Sequence, residues 1–176
     1  GEKVRYLAPV GEVGKRNTGT RLHFWPDARY FDSVKFSLPR LRHVLRAKAV
    51  LCPGLRVQLT EEASGEATVW HYEKGLADYL ASELVELERV PDPAFTGDFS
   101  AAHEAVEWAV TWLPEAGEGV QESYVNMIPT LQGGTHVNGL RTGLTEALRE
   151  FCEFRNLLPR GVRIAPEDVW ERVTYV

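Results

Sequence analysis

Three short stretches carry residue types that could do chemistry. Asn17, Thr18, Gly19 and Thr20 place a hydroxyl and exposed backbone groups at the head of an apolar run. That arrangement can hold a planar ligand by one hydrogen bond and apolar contact, or it can be an ordinary polar turn. Gly133, Gly134 and Thr135 stand just before a helical pattern that contains Arg141. Free backbone N–H groups and the helix dipole at such a place could hold an anion. The same glycines could simply reverse the chain, with Thr135 capping the helix. No lysine follows them, as it does in a phosphate loop. The third stretch is basic: between Ser37 and Thr60 there is no carboxylate, while Arg40, Arg42, Arg46, Lys48 and Arg56 are cationic. It could attract nucleic acid or nucleotide phosphate. It could equally be a solvated helix face whose charge is balanced by acidic residues elsewhere.

Other chemistries find no support in the spacings. His23, His43, His71, His103 and His136 have no metal-ligand spacing among themselves or with Cys52 and Cys152, which argues against a zinc site. A Gly-x-Ser-x-Gly elbow and a Walker phosphate loop are both missing. Glu61 and Glu62 sit in a turn, where paired carboxylates are usually solvated surface.

The 176 residues are 44% hydrophobic and 26% charged, the composition of an ordinary folded protein with room for a sizeable core. No run of about 18 apolar residues occurs, so no membrane span is expected. The opening residues lack an apolar signal core, and two thiols without a framework pattern suit a reducing cytoplasm. The net charge of −5 conceals an uneven distribution. Residues 1–60 carry 12 basic and 4 acidic side chains, residues 61–122 carry 2 and 15, and residues 123–176 carry 6 of each.

The elements that must position these stretches follow from periodicity. Leu22 and Phe24 alternate with polar or larger neighbours and predict a strand stopped by Pro26. Ser37, Leu38 and Pro39 read as a helix start, with Leu41, Val44, Leu45 and Ala49 on its apolar side and Cys52–Gly54 as its end. Residues 55–60 and 67–72 alternate and read as a hairpin. Leu76, Tyr79, Leu80 and Leu84 predict an amphipathic helix of about three turns. Residues 85–104 hold two prolines and little periodicity, and they are the candidate domain boundary. Val106, Trp108, Val110 and Trp112 face one way and Ala105, Ala109 and Leu113 the other, as in a strand central to its sheet. Residues 123–129 read as one further strand. A long helix is predicted from about His136 to Leu157 on the spacing of Val137, Leu140, Leu144, Leu148 and Phe151. A short helix starts near Pro166, with Glu167 and Asp168 in its first turn, where the dipole favours acids.

Taken together, "TGTRLHFWPD", "YEKGLADYL", "SYVNMIPTLQGGTHVNGLR" and "EDVW" are ordered and spaced as in a known family. Over essentially all of residues 1–176 the chain resembles the B subunits of bacterial type IIA topoisomerases, those of topoisomerase IV and of gyrase. "VNMIPTLQGGTHVNGLR" with "REFCEFRNLLPRG" is nearer to topoisomerase IV of a proteobacterial type.

The resemblance implies an α+β or two-layer α/β architecture. Residues 1–90 would be the C-terminal part of a GHKL ATPase domain. Residues 91–176 would be the first part of a transducer domain with a left-handed βαβ crossover, an exception to the usual hand. Thr20, with Gly19 before it, matches the threonine at the adenine end of the family's ATP pocket, and Leu22 matches an apolar position lining it. Arg141 matches an arginine on the wall of the cavity that transported DNA passes, where phosphate attraction needs no sequence readout. On this resemblance Gly133–His136 are a structural lead into the helix that carries Arg141. The parent protein would use ATP and Mg²⁺ and act on DNA together with the A subunit of topoisomerase IV and a second copy of itself. The family's general-base glutamate, Mg²⁺-binding asparagine and adenine-binding aspartate are expected upstream of these residues, and its γ-phosphate lysine downstream. This stretch alone is therefore expected to lack catalytic residues, to bind no nucleotide and to be inactive. Two rival readings are the B subunit of gyrase and a stand-alone nucleic-acid-binding module built on the basic helix and Arg141.

Overall fold

Leu38 and Pro39 open a fourteen-residue helix, α1 (Leu38–Leu51), where the fixed φ of proline suits the first turn. In the computed structural model, which describes residues 6, 8–21, 26–115 and 118–176, the chain divides into two units, 1–37 and 38–176. In the first, the described residues form turns and irregular backbone without helix or strand. Asp27 accepts from the side chain and backbone N–H of Arg29, which holds the Asp27 carboxyl below its usual range. The strand expected at Leu22–Phe24 lies outside the described residues.

The second unit begins with α1. Its buried positions are Ala47, Ala49 and Val50, while Val44 is exposed, so the helix buries mainly its C-terminal half. Gly54, in the left-handed region at φ 79°, turns the chain into β1 (Val57–Thr60). That strand pairs antiparallel with β2 (Ala67–Trp70), Val57 opposite Trp70, as the alternation predicts. Gly75 starts α2 (Leu76–Glu83) at φ 55°; a Cβ there would lie 2.9 Å from the Pro53 ring. The helix is eight residues long, roughly two turns rather than three, and it buries Leu76, Tyr79 and Leu80, with Leu84 buried just after it.

Residues 85–104 differ from expectation. Val90–Ser100 form an eleven-residue strand, β3, antiparallel to β4 (Ala105–Trp112). The ladder is interrupted between Val90 and Phe95, and Pro91 and Pro93, each after a cis peptide bond, fall within that break. Proline has no N–H to donate, so an edge strand with a bulge accommodates it where a regular ladder would not. β4 is central, flanked on its other side by β7 (Val173–Tyr175), a strand that the sequence pattern does not announce.

The two faces of β4 reach different helices, which explains its apolar character on both. Ala109 and Leu113 join Val50, Leu76, Tyr79, Leu80, Leu84 and Val176 in one core. Val110 joins Val173 and Tyr175 in another, against which Trp108, Trp112, Val137, Leu140, Leu144 and Trp170 pack. Of these, Val137, Leu140 and Leu144 belong to α3 (Thr135–Phe154), and Trp170 ends α4 (Pro166–Trp170). The overall class is α+β. Gln121 bridges Tyr175 in parallel, so α3 lies within a β–α–β connection.

Residues 123–129, expected as one strand, are instead a tight hairpin. β5 (Tyr124–Val125) pairs with β6 (Ile128–Pro129) across Asn126 and Met127, which have φ of 49° and 65°. Two positive φ values at the centre of a two-residue loop match the twist of the flanking strands. Asn is a common occupant of that region and Met is not, so the turn had no glycine to announce it.

Candidate functional site

Thr18, Gly19 and Thr20 are exposed, in backbone without helix or strand after the turn closed by the Asn17 N–H to the Gly14 carbonyl at 2.8 Å. Leu22 lies outside the described residues. These positions belong to the unit 1–37 and Arg141 to the unit 38–176.

Around α3 the glycines have separate tasks. Gly133, at φ 68°, donates its N–H to the Thr130 carbonyl at 2.9 Å and reverses the chain. Gly134 is the N-cap, and a Cβ there would lie 2.9 Å from the His136 ring. Thr135 is thus the first helical residue and not the cap, and no side chain caps α3. The His136 Nε2 stands 3.2 Å from the Thr130 hydroxyl, which is 2.6 Å from that of Ser123, so the ring ties the helix start to the β5–β6 hairpin.

Arg141 projects from the second turn of α3. Its Nη2 donates to the Glu167 carboxylate at 2.7 Å, its guanidinium lies 6.0 Å from the centre of the Trp170 ring, and its Nε is buried without a partner. The Arg141 carbonyl accepts from the buried Thr145 hydroxyl at 2.8 Å.

The basic stretch is largely paired within the molecule. Arg42 meets Glu66 at 2.9 Å; Arg46 meets Glu83 at 3.3 Å and Glu122 at 3.2 Å; Lys48 donates to the Met127 carbonyl at 2.6 Å. All three carboxylates come from the acidic segment 61–122, so the reading of a balanced helix face accounts for Arg42 and Arg46, while Arg40 and Arg56 are exposed.

Glu122 is the residue that sequence reasoning missed. Its Oε1 accepts from Arg46 and from the Tyr79 hydroxyl at 3.0 Å, and its Oε2 from the Tyr124 hydroxyl at 2.6 Å. The Arg46 guanidinium also lies 5.1 Å from the centre of the Tyr79 ring. Burial works against the Arg46 charge, but Tyr79, Glu83 and Glu122 outweigh it and raise its pKa. Burial first, then the Glu122 charge, pushes the Tyr79 phenol far above the usual tyrosine range; burial and the hydrogen bond to Glu122 do the same for Tyr124. The only sequence signal for this cluster was the charge contrast between the segments before and after Glu61.

A family model described as DNA gyrase B matches residues 74–176. The B subunit of DNA topoisomerase 4 from Pseudomonas aeruginosa is 64% identical over the whole chain, and that from Escherichia coli 57%. The chain spans 28% of the length of each of these relatives. Among solved structures, the topoisomerase IV ATP binding domain of Francisella tularensis, in complex with a small-molecule inhibitor, superposes with a TM-score of 0.71 at 36% identity, over 95% of this chain and 44% of that one. The B-subunit of the DNA gyrase from Myxococcus xanthus gives 0.70 at 26% identity, over 85% of this chain and 41% of that one.

Proposed function

The chain belongs to the DNA gyrase B family, and from that premise we propose that it is part of the ATP-hydrolysing B subunit of a topoisomerase IV, a type IIA enzyme, where it couples nucleotide state to the capture and passage of a DNA duplex. Identities of 57–64% to topoisomerase 4 relatives, against 26% to a gyrase structure, favour topoisomerase IV over gyrase.

One observation carries the coupling role. Val50, Leu76, Tyr79, Leu80 and Leu84 share a single apolar core with Ala109, Leu113 and Val176. In our division, residues 1–90 belong to a GHKL ATPase domain and 91–176 to a transducer domain. The core spans that division, so displacement of α1 and α2 must be felt by β4 and the chain beyond it. Packed cores shift between discrete arrangements rather than deforming smoothly. The left hand of the β–α–β connection around α3 is part of the same proposal.

The chain spans 28% of the length of its relatives, and on this reading the nucleotide site is completed by other parts of the parent protein. Thr18, Gly19 and Thr20 are exposed and belong to the unit 1–37. Among the described residues no group of three or more His, Cys, Asp or Glu could hold a metal ion. On the family resemblance we assign Thr20, Gly19 and Leu22 to the adenine end of the nucleotide site, and ATP hydrolysis and Mg²⁺ binding to other parts of the parent protein. Arg141 is assigned to the DNA-facing wall. The partners are DNA, the A subunit of topoisomerase IV and a second copy of the parent protein, and the setting is cytoplasmic. Among the described residues no helix is long and apolar enough to cross a membrane.

The test is reconstitution of the full-length parent protein with the A subunit on catenated DNA circles. ATP-dependent release of single circles, without introduction of negative supercoils into relaxed DNA, is the expected result. Supercoiling would mean gyrase, and DNA binding indifferent to ATP would leave only the stand-alone binding module.

A further inference from the structure

The apolar core across residue 90 is not the only tie between the two sides. Hydrophobic contact is non-directional and does not by itself set the register of one element on another. Charged hydrogen bonds do, because they demand both distance and direction. The carboxylate of Glu122 accepts three of them, and they come from different places. Arg46 lies on α1 and Tyr79 on α2, both before residue 90, while Tyr124 is two residues away on the same segment as Glu122. The backbone of Glu122 is fixed in turn to the sheet, since its N–H donates to the Tyr175 carbonyl at 3.1 Å, and the Tyr175 N–H donates to the Val120 carbonyl at 2.8 Å.

Arg46 also pairs with Glu83, but Glu83 is on α2, so that bond stays on the near side of the division. Lys48 makes a second crossing, to the Met127 carbonyl in the hairpin turn. From this geometry we infer that Glu122 is a positioning residue for energy coupling: through Arg46 and Tyr79 it holds α1 and α2 in register with β7, so that movement on the nucleotide side becomes movement of the sheet and of α3.

Partial burial makes the node sensitive. The side chains of Arg46 and Glu122 are 25% and 22% exposed, and their charges are screened less than those of a surface pair. In Glu122→Gln, Arg46 keeps Glu83 and the Tyr79 ring, both on α2, and follows that helix, leaving the core to transmit movement without a fixed register. The inference rests on the proposed function, because coupling has meaning only if the parent turns over ATP.

The test uses the full-length parent protein in complex with the A subunit, catenated DNA circles and ATP. The readout is the number of ATP molecules hydrolysed per circle released, with the melting temperature of each variant measured alongside. Glu122→Gln and Arg46→Met remove the charged crossing, and Tyr79→Phe removes one crossing hydrogen bond with little change of shape. Tyr124→Phe removes a bond to the same carboxylate that does not cross, and it serves as the control. The expected result is a rise of about three- to tenfold in ATP per circle for the crossing variants, the size of coupling carried by packed polar networks. Tyr124→Phe should stay within about twofold of the unaltered enzyme. A lower melting temperature with an unchanged ratio in the crossing variants would reduce the cluster to a structural role and overturn the inference. So would an equal rise in Tyr124→Phe. Should Glu122→Gln fail to fold, Tyr79→Phe decides between the same outcomes. The unaltered enzyme reports separately on the function itself: without ATP-driven release it is the proposed function that falls.

Discussion

Arg141 donates through Nη2 to the carboxylate of Glu167 across 2.7 Å, joining α3 to the first turn of α4. The pair is partly exposed, with Glu167 the more open side chain. A cation assigned to attract DNA phosphate is therefore already shared with a carboxylate, and the attraction it offers depends on how readily Glu167 gives it up.

In the full-length parent protein, Arg141→Gln should weaken binding to duplex DNA of any sequence and flatten the slope of log affinity against log salt by about one, as expected for a single lost phosphate contact. Glu167→Gln should tighten binding at low salt by freeing the guanidinium. Fluorescence anisotropy on one labelled duplex over a salt series measures both. An unchanged slope in Arg141→Gln removes this residue from the DNA-facing set.

Trp112 ties the centre of the sheet to α4, its indole N–H donating to the Val169 carbonyl at 2.6 Å. Trp112→Phe keeps much of the apolar packing and leaves that carbonyl unpaired. The expected loss is about 1–3 kcal/mol in urea unfolding. A loss confined to a few tenths would mean that water replaces the donor.

Gly97 sits directly opposite Trp108 in the β3–β4 ladder, and a Cβ there would overlap the indole ring. The ring packs against the core formed by Val110, Val173 and Tyr175, so it has little freedom to withdraw. Gly97→Ala should destabilise the protein by about 1–3 kcal/mol, as overpacking does. The double variant Gly97→Ala with Trp108→Leu should recover part of that loss, and additive effects in the same unfolding experiment would contradict the steric explanation.

Tyr79 and Tyr124 predict how stability responds to alkali. Burial and Glu122 raise both phenols above their ordinary value of 10.0, and burial raises Tyr72 and Tyr175 as well. The folded chain keeps protons that the unfolded chain would lose. The stabilisation is complete below the unfolded pKa near 10 and is lost as pH climbs from there toward the folded values. Denaturant midpoints measured against pH should fall above about pH 10, with tyrosinate absorbance of these four residues appearing together with unfolding. Gradual titration of all tyrosines in a still-folded chain would contradict the burial of this cluster.

Several of these elements were legible because the signal was local. Pro39 marks the start of α1, the alternation of Val57 and Leu59 gives the hairpin, and the spacing of Val137, Leu140 and Leu144 gives α3. The double apolar character of Ala105–Leu113 correctly announced a central strand. The strand Val90–Ser100 was hidden by Pro91 and Pro93, since local propensity counts against proline while an interrupted edge ladder tolerates it. The turn at Asn126–Met127 was hidden because its second residue is a methionine held at positive φ by the hairpin around it. β7, three residues long, is a strand only because β4 lies beside it.

Family membership, the helices and the charge contrast between segments were properties of residue order, because each depends on neighbours within a few positions or on motifs that survive in a string. Which charges meet was decided by the tertiary structure alone. Arg46 and Glu122 are 76 residues apart, and only the packing of α1 and α2 on the sheet brings the guanidinium, two tyrosine hydroxyls and one carboxylate together. A string records that a basic segment is followed by an acidic one. The distances that turn that contrast into one three-bonded carboxylate exist only after the core around Tyr79, Leu84 and Ala109 has closed.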